Sequence, residues 1–230
     1  MSHPLLQRPA IDQPPGEYLR TVGVVFAEFG ANMQDSGNIS YGVQIGNERC
    51  FVKTAGLPLD PLPLLDHAGR VALLWNAARL SASVIHPILP ALMGVIESSV
   101  GPLLVTPGWT ANFYDDSLLY DFAAGRLGVI DLDMYRDGPF INDMGQMFGS
   151  TRFMAPEEFE RGALIDEQTT VFVMGRTALV FLSDGTLAPE LFCGPRTLFD
   201  VVRQACQPIR ANRFASMAAF SDAWRAARDV

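Results

Sequence analysis

The sequence predicts an α+β fold in two parts, a β-rich N-terminal half and a mainly helical C-terminal half. Three observations carry that expectation. Residues 21–30, 39–46 and 48–54 (TVGVVFAEFG, ISYGVQIG, ERCFVKT) are β-branched or aromatic runs separated by Gly and Asn, the pattern of an antiparallel meander. The stretches 156–162, 168–183, 197–206 and 216–228 read as helices. Between the halves runs a loop rich in Gly, Asp and Pro, and a small β-rich lobe joined in this way to a helical one predicts a ligand cleft at the join.

In chain order, residues 1–20 read as an N-terminal extension: MSHPLLQRPAIDQPPG is broken by prolines, with no continuous apolar core for a leader. Residues 21–105 form the first lobe, with the meander, a helix from Asp66 to Ala82 recurring in Leu, Val, Ala and Trp, and strands at 92–97 and 102–105. Residues 106–230 form the second lobe and open with short strands at 117–122 and 127–131. At 230 residues and 49% hydrophobic, the chain has material for one sizeable core or two small lobes.

Composition removes several function classes. The net charge is -8 and there is no run of Lys or Arg, so an electrostatic grip on nucleic acid or anionic lipid has no source. Cys50, Cys193 and Cys206 are an odd number, lie far apart and form no CxxC pair, which argues against a disulfide framework or a zinc site and fits a reducing, cytoplasmic setting. No segment approaches the 18 or so apolar residues of a membrane span.

Chemistry-bearing residues gather near the join. Lys53 is the chain's one lysine among 17 basic side chains, at the end of the apolar run FVK; it reads as more than a generic solvated charge or as a charged guard on a strand edge. Asp131 and Asp133 in GVIDLD stand at i and i+2 after an apolar strand, so both point the same way and could hold a divalent cation; a polar turn has the same spelling. Asn112, Asp115 and Asp116 in ANFYDD form a third polar group, legible alone as a turn.

Their order resembles the protein kinase family: a strand lysine, HP after a helix, an Asp-rich loop before a strand pair, VIDLD, then GSTRFMAPEEF. Gly149 to Glu158 resembles the end of a kinase activation segment with its A-P-E motif. IDEQTTVFVMGRTALVFL resembles the buried helix that follows, and Pro208 to Phe214 (PIRANRF) the element whose arginine pairs with the A-P-E glutamate. The likeness spans about residues 30 to 228, most closely to bacterial serine/threonine kinase-like proteins, and implies a two-lobed kinase-like fold. It implies that Lys53 holds the α- and β-phosphates of ATP, that Asp131 binds Mg2+ with Asp133 beside it, and that Gly37 and Gly42 belong to the Gly-rich lid. It makes Glu157 and Arg213 a structural ion pair and Ser150 and Thr151 candidate phosphorylation sites.

Departures from the pattern are as informative. Asn112 takes the place of the catalytic aspartate, and an amide cannot take a proton, a loss worth on the order of 10²- to 10⁴-fold in rate; Asp115 or Asp116 is the substitute carboxylate. Ser117 stands where the second metal ligand is expected, and Thr170 where an aspartate anchors the catalytic loop. In LLWNAARLSASVIHP the helix glutamate has no counterpart, with Asn76 and Ala77 near its place. Only Thr106 to Ala111 replace the two helices a full kinase carries between hinge and catalytic loop, which leaves a bare face for a second copy to cover as a homodimer. Three readings follow: an ATP- and Mg2+-dependent serine/threonine kinase acting on a protein substrate; a pseudokinase that binds partners without phosphoryl transfer; and a small-molecule phosphotransferase of the aminoglycoside-kinase type, favoured by the I-D-x-D likeness of VIDLD and opposed by the A-P-E element.

Overall fold

The computed structural model describes residues 3–30, 37–59, 65–108, 113–115, 117–121, 123–130 and 135–228. The chain is α+β and divides into two compact units, residues 1–135 and 136–230.

In the first unit, β1 (Ala10–Ile11) and α1 (Pro15–Val22) precede the meander β2 (Val24–Phe29), β3 (Ile39–Ile45) and β4 (Glu48–Thr54). Helix α2 (His67–Ser83) leads to β5 (Gly94–Ser98) and β6 (Leu103–Pro107). These strands form one sheet in the order β1-β5-β6-β4-β3-β2, antiparallel except for the β1–β5 pair. The β3–β4 turn is tight because Gly46 adopts φ +57°, which a side chain would strain. Asp66 starts α2 by accepting a hydrogen bond from the Gly69 N–H at 2.8 Å.

Alternation along β4 sorts the sheet's two faces. Cys50, Val52 and Thr54 are buried, whereas Phe51 and Lys53 are half-buried. On the first face lies a core of Tyr41, Val43, Cys50, Val52, Leu103 and Val105, closed by Leu5, Ile11, Tyr18 and Leu19. Leu5, Ile11, Tyr18 and Leu19 of the stretch read as an extension are therefore part of the core. Pro14-Pro15 does not break the chain: Pro15 occupies the first turn of α1, where its missing N–H costs nothing. For the same reason β2 begins at Val24 instead of 21. The second face receives α2, whose Leu74, Ala77 and Ala78 pack on Ala55 and Leu104.

The three-stranded sheet β7 (Phe113–Asp115), β8 (Leu118–Asp121) and β9 (Arg126–Val129) also belongs to the first unit. The Val129 N–H donates to the Ile88 carbonyl and the Asn76 amide to the Tyr135 carbonyl, tying this segment to α2 and the chain after it. The division consequently falls at Tyr135/Arg136, further along than the 105/106 boundary expected.

In the second unit, β10 (Phe140–Ile141) pairs with β11 (Leu164–Ile165), followed by α3 (Glu167–Leu182), α4 (Arg196–Ala205) and α5 (Met217–Arg228). Val171, Ala205 and Phe220 form its core with Val201, Phe214, Met217 and Trp224 around them. The helix expected at 156–162 is one 3-10 turn, Pro156–Phe159. Glu157 turns inward, Glu158 reaches back to the Ala155 N–H, and Gly162 reverses the chain at φ +89°. No helix among the described residues is long and apolar enough to cross a membrane.

Candidate functional site

Lys53 stands on β4, the third strand of the meander, directly opposite Ser40 on β3 and Leu104 on β6. Opposed residues share a face, so Lys53 lies on the side where α2 packs Leu74, Ala77 and Ala78 against Leu104. The acid-free sequence of α2 supplies a different buried charge, Arg70. Its guanidinium donates to the Gly37 carbonyl at 3.2 Å and the Leu57 carbonyl at 3.1 Å, bridging the chain entering β3 and the chain leaving β4. Sequence reasoning passed over Arg70, whose one signal was an arginine at a core-facing helical position. Asn76 donates to the Tyr135 carbonyl and accepts from Arg79, and Ala77 is buried.

Of the two glycines read as a phosphate lid, Gly37 has φ +74° just before β3. Gly42 is instead in the middle of β3, opposite Phe51 and Ala27. Its requirement is space: a Cβ there would come within 2.6 Å of the Phe26 ring. Phe26 and Phe51 meet edge to face at 6.2 Å, Phe29 and Phe51 lie 6.5 Å apart, and the Arg49 guanidinium sits 5.1 Å from the Phe26 centroid.

Asn112, Asp116, Asp131 and Asp133 lie outside the described residues. Asp115 closes β7, its backbone opposite Leu118. The Ser117 carbonyl accepts from the Ile130 N–H at 2.8 Å, which brings the residue before β8 beside the chain leading to Asp131. The described residues hold no group of three or more His, Cys, Asp or Glu suited to a metal ion.

The second unit contains a buried polar hub. Arg213 directs both terminal nitrogens at Glu157, at 2.6 and 2.9 Å, a bidentate pair. Its remaining donors go to the Gln168, Gln207 and Pro208 carbonyls, and the guanidinium lies 4.7 Å from the Phe172 centroid. Arg210 adds 2.9 Å to Glu157 and 2.6 Å to Asp166, and the Thr169 hydroxyl donates to Glu157 at 2.9 Å. Thr169 is the buried threonine of α3; Thr170, expected to anchor a loop, is exposed. Asn142 completes the hub, donating to the Glu157 and Glu158 carbonyls while accepting from the Met144 and Gly145 N–H groups. Arg210, Asp166, Thr169 and Asn142 were missed; Arg210, inside PIRANRF, was the one within reach.

Burial pushes the Glu157 carboxyl up, but hydrogen bonds from Arg213 and Thr169 and the Arg213 charge outweigh it and hold the group below the usual carboxylate range. Glu158 goes the other way, raised mainly by burial. Ser150 and Thr151 are exposed in the turn after Gly149. Burial pushes the Cys206 thiol up to about 11, which leaves it a packing group and no nucleophile. No protein-family model matches the chain, and no curated protein matches it.

Proposed function

We propose that this chain is a protein kinase-like domain that binds ATP with Mg2+ around Lys53, with phosphoryl transfer weakened by its own substitutions. The observation that carries this reading is the position of Lys53: the one lysine of the chain, on the third strand of an antiparallel meander, on the face that the following helix covers. A kinase holds the ATP phosphates with a lysine placed in that way. The Glu157–Arg213 pair supports it from the other unit, since it joins the two stretches that the resemblance pairs.

Asp131, Asp133 and Ser117 would hold Mg2+; two carboxylates and a hydroxyl are the hard oxygen donors this ion takes, and the ion would neutralise phosphate charge. Asn112 removes the general base and leaves Asp115 and Asp116 as the nearby carboxylates, while α2 offers no acid to position the lysine. The test is incubation of the whole chain with Mg·ATP and generic protein acceptors, with mass spectrometry of Ser150 and Thr151. The reading expects saturable nucleotide binding and transfer at least 100-fold below the roughly 1–100 s⁻¹ typical of kinases. Absence of nucleotide binding by equilibrium dialysis contradicts it.

A scaffold reading, without transfer, is favoured by one observation. Thr170, Met174 and Phe181 lie along one uncharged, exposed stripe of α3. A second copy covering this stripe would make a homodimer of a cytoplasmic binding module. Sedimentation of wild type and Met174→Glu checks it: a dimer that the substitution dissociates supports the scaffold, and a monomer in both removes it.

A further inference from the structure

The sheet face that carries Lys53 also carries aromatic side chains that phosphate binding does not use. Phe51 and Lys53, at i and i+2 on β4, share that face with their Cα atoms about 6–7 Å apart. The irregularity between Val25 and Ala27 turns both Phe26 and Phe29 to the same side, where Gly42 gives Phe26 room against the β3 backbone. Phe26 is 42% and Phe29 37% exposed, so two rings remain half open instead of joining the core. Arg49 at one end and Lys53 at the other flank the rings with positive charge, in a chain whose net charge is -8.

A flat ring bearing phosphates matches that arrangement. We infer that Phe26, Phe29 and Phe51 form a stacking seat for the base of a nucleoside polyphosphate, and that the site therefore accepts ATP and GTP with little discrimination. The inference rests on the nucleotide reading of Lys53. Stacking is tolerant because every base presents a π-face. From Cys50 to Lys53 the β4 main chain pairs with β3 on one side and β6 on the other, so it does not read base edges.

The test is isothermal titration of the full chain with Mg·ATP, Mg·GTP and Mg·tripolyphosphate, on wild type, Phe26→Ala and Gly42→Val, the last of which displaces the ring without deleting it. The account expects ATP and GTP to bind within about tenfold of each other. Each substitution should weaken both by about 5- to 150-fold, the range for loss of one stacked ring, and leave tripolyphosphate unchanged. The seat is overturned if both variants bind ATP as wild type does, or if ATP is preferred over GTP by more than about 100-fold. If no nucleotide and no tripolyphosphate binds wild type, the nucleotide reading itself falls and the seat with it.

Discussion

Arg213 in the second unit and Arg70 in the first are both buried arginines, but they tie together different parts of the chain. Arg213 spends its donors on the Glu157 carboxylate and three carbonyls, inside a hub that also enlists Arg210, Asp166, Thr169 and Asn142. Arg70 reaches the carbonyls of Gly37 and Leu57, at the two ends of the β3–β4 pair that carries Lys53. Buried charge in the second unit therefore joins its segments to one another. In the first unit it positions the chain on either side of the candidate site.

The largest expected effect breaks the first unit outright. Deleting residues 1–20 removes Leu5, Ile11, Tyr18 and Leu19, each contributing roughly 1.5–3 kcal/mol, against a typical total stability of about 5–15 kcal/mol. Circular dichroism and urea titration should show loss of cooperative folding in that unit; a truncated chain unfolding like wild type would restore the view of these residues as an extension.

Next comes Arg213→Ala, which removes the bidentate partner of the buried Glu157 carboxylate, leaves it Arg210 and Thr169, and should cost up to about 3–5 kcal/mol in urea unfolding at neutral pH. Arg70→Met leaves the Gly37 and Leu57 carbonyls without this donor and should cost at least about 1–3 kcal/mol. Wild-type stability in Arg70→Met would contradict the bridging role of Arg70 between the two ends of the β3–β4 pair.

The smallest effect is in pH dependence. Glu157 has a folded pKa below its unfolded value of about 4.5, so its contribution is full above that value and is lost as the pH falls through the folded pKa. Glu158, raised on folding, has the opposite sign: it favours the fold most at low pH, and that contribution is lost as the pH rises through its folded pKa. Arg213→Ala should flatten the loss of stability below about pH 4.5, and Glu158→Gln should steepen it. Urea midpoints between pH 3 and 7 read both slopes.

Some of this was legible in the residues. β3 and β4 were read nearly to the residue because β-branched alternation surrounds a Gly-Asn turn, and α3 because Val171, Phe172, Leu179 and Val180 recur at helical spacing. The Glu157–Arg213 pair was readable as a motif order. The rest of the hub was not, because Asn142, Asp166 and Arg210 meet only after the second unit has folded and no local pattern announces a polar cluster. The cluster of Phe26, Phe29 and Phe51 was hidden by geometry: Phe26 and Phe29 are three apart and would face opposite sides of a regular strand, and only the irregularity in β2 aligns them. α1 was lost to the habit of reading Pro-Pro as a break.

The central claim is a nucleotide site built around Lys53, and thermal unfolding of wild type and Lys53→Ala with and without Mg·ATP tests it most directly. A ligand that binds only the folded state, present at about 100 times its dissociation constant, adds roughly 2.7 kcal/mol. The account predicts a rise in Tm for wild type that is lost in Lys53→Ala, with the two proteins unfolding alike in the absence of nucleotide. No rise in wild type, or the same rise in both proteins, would contradict it.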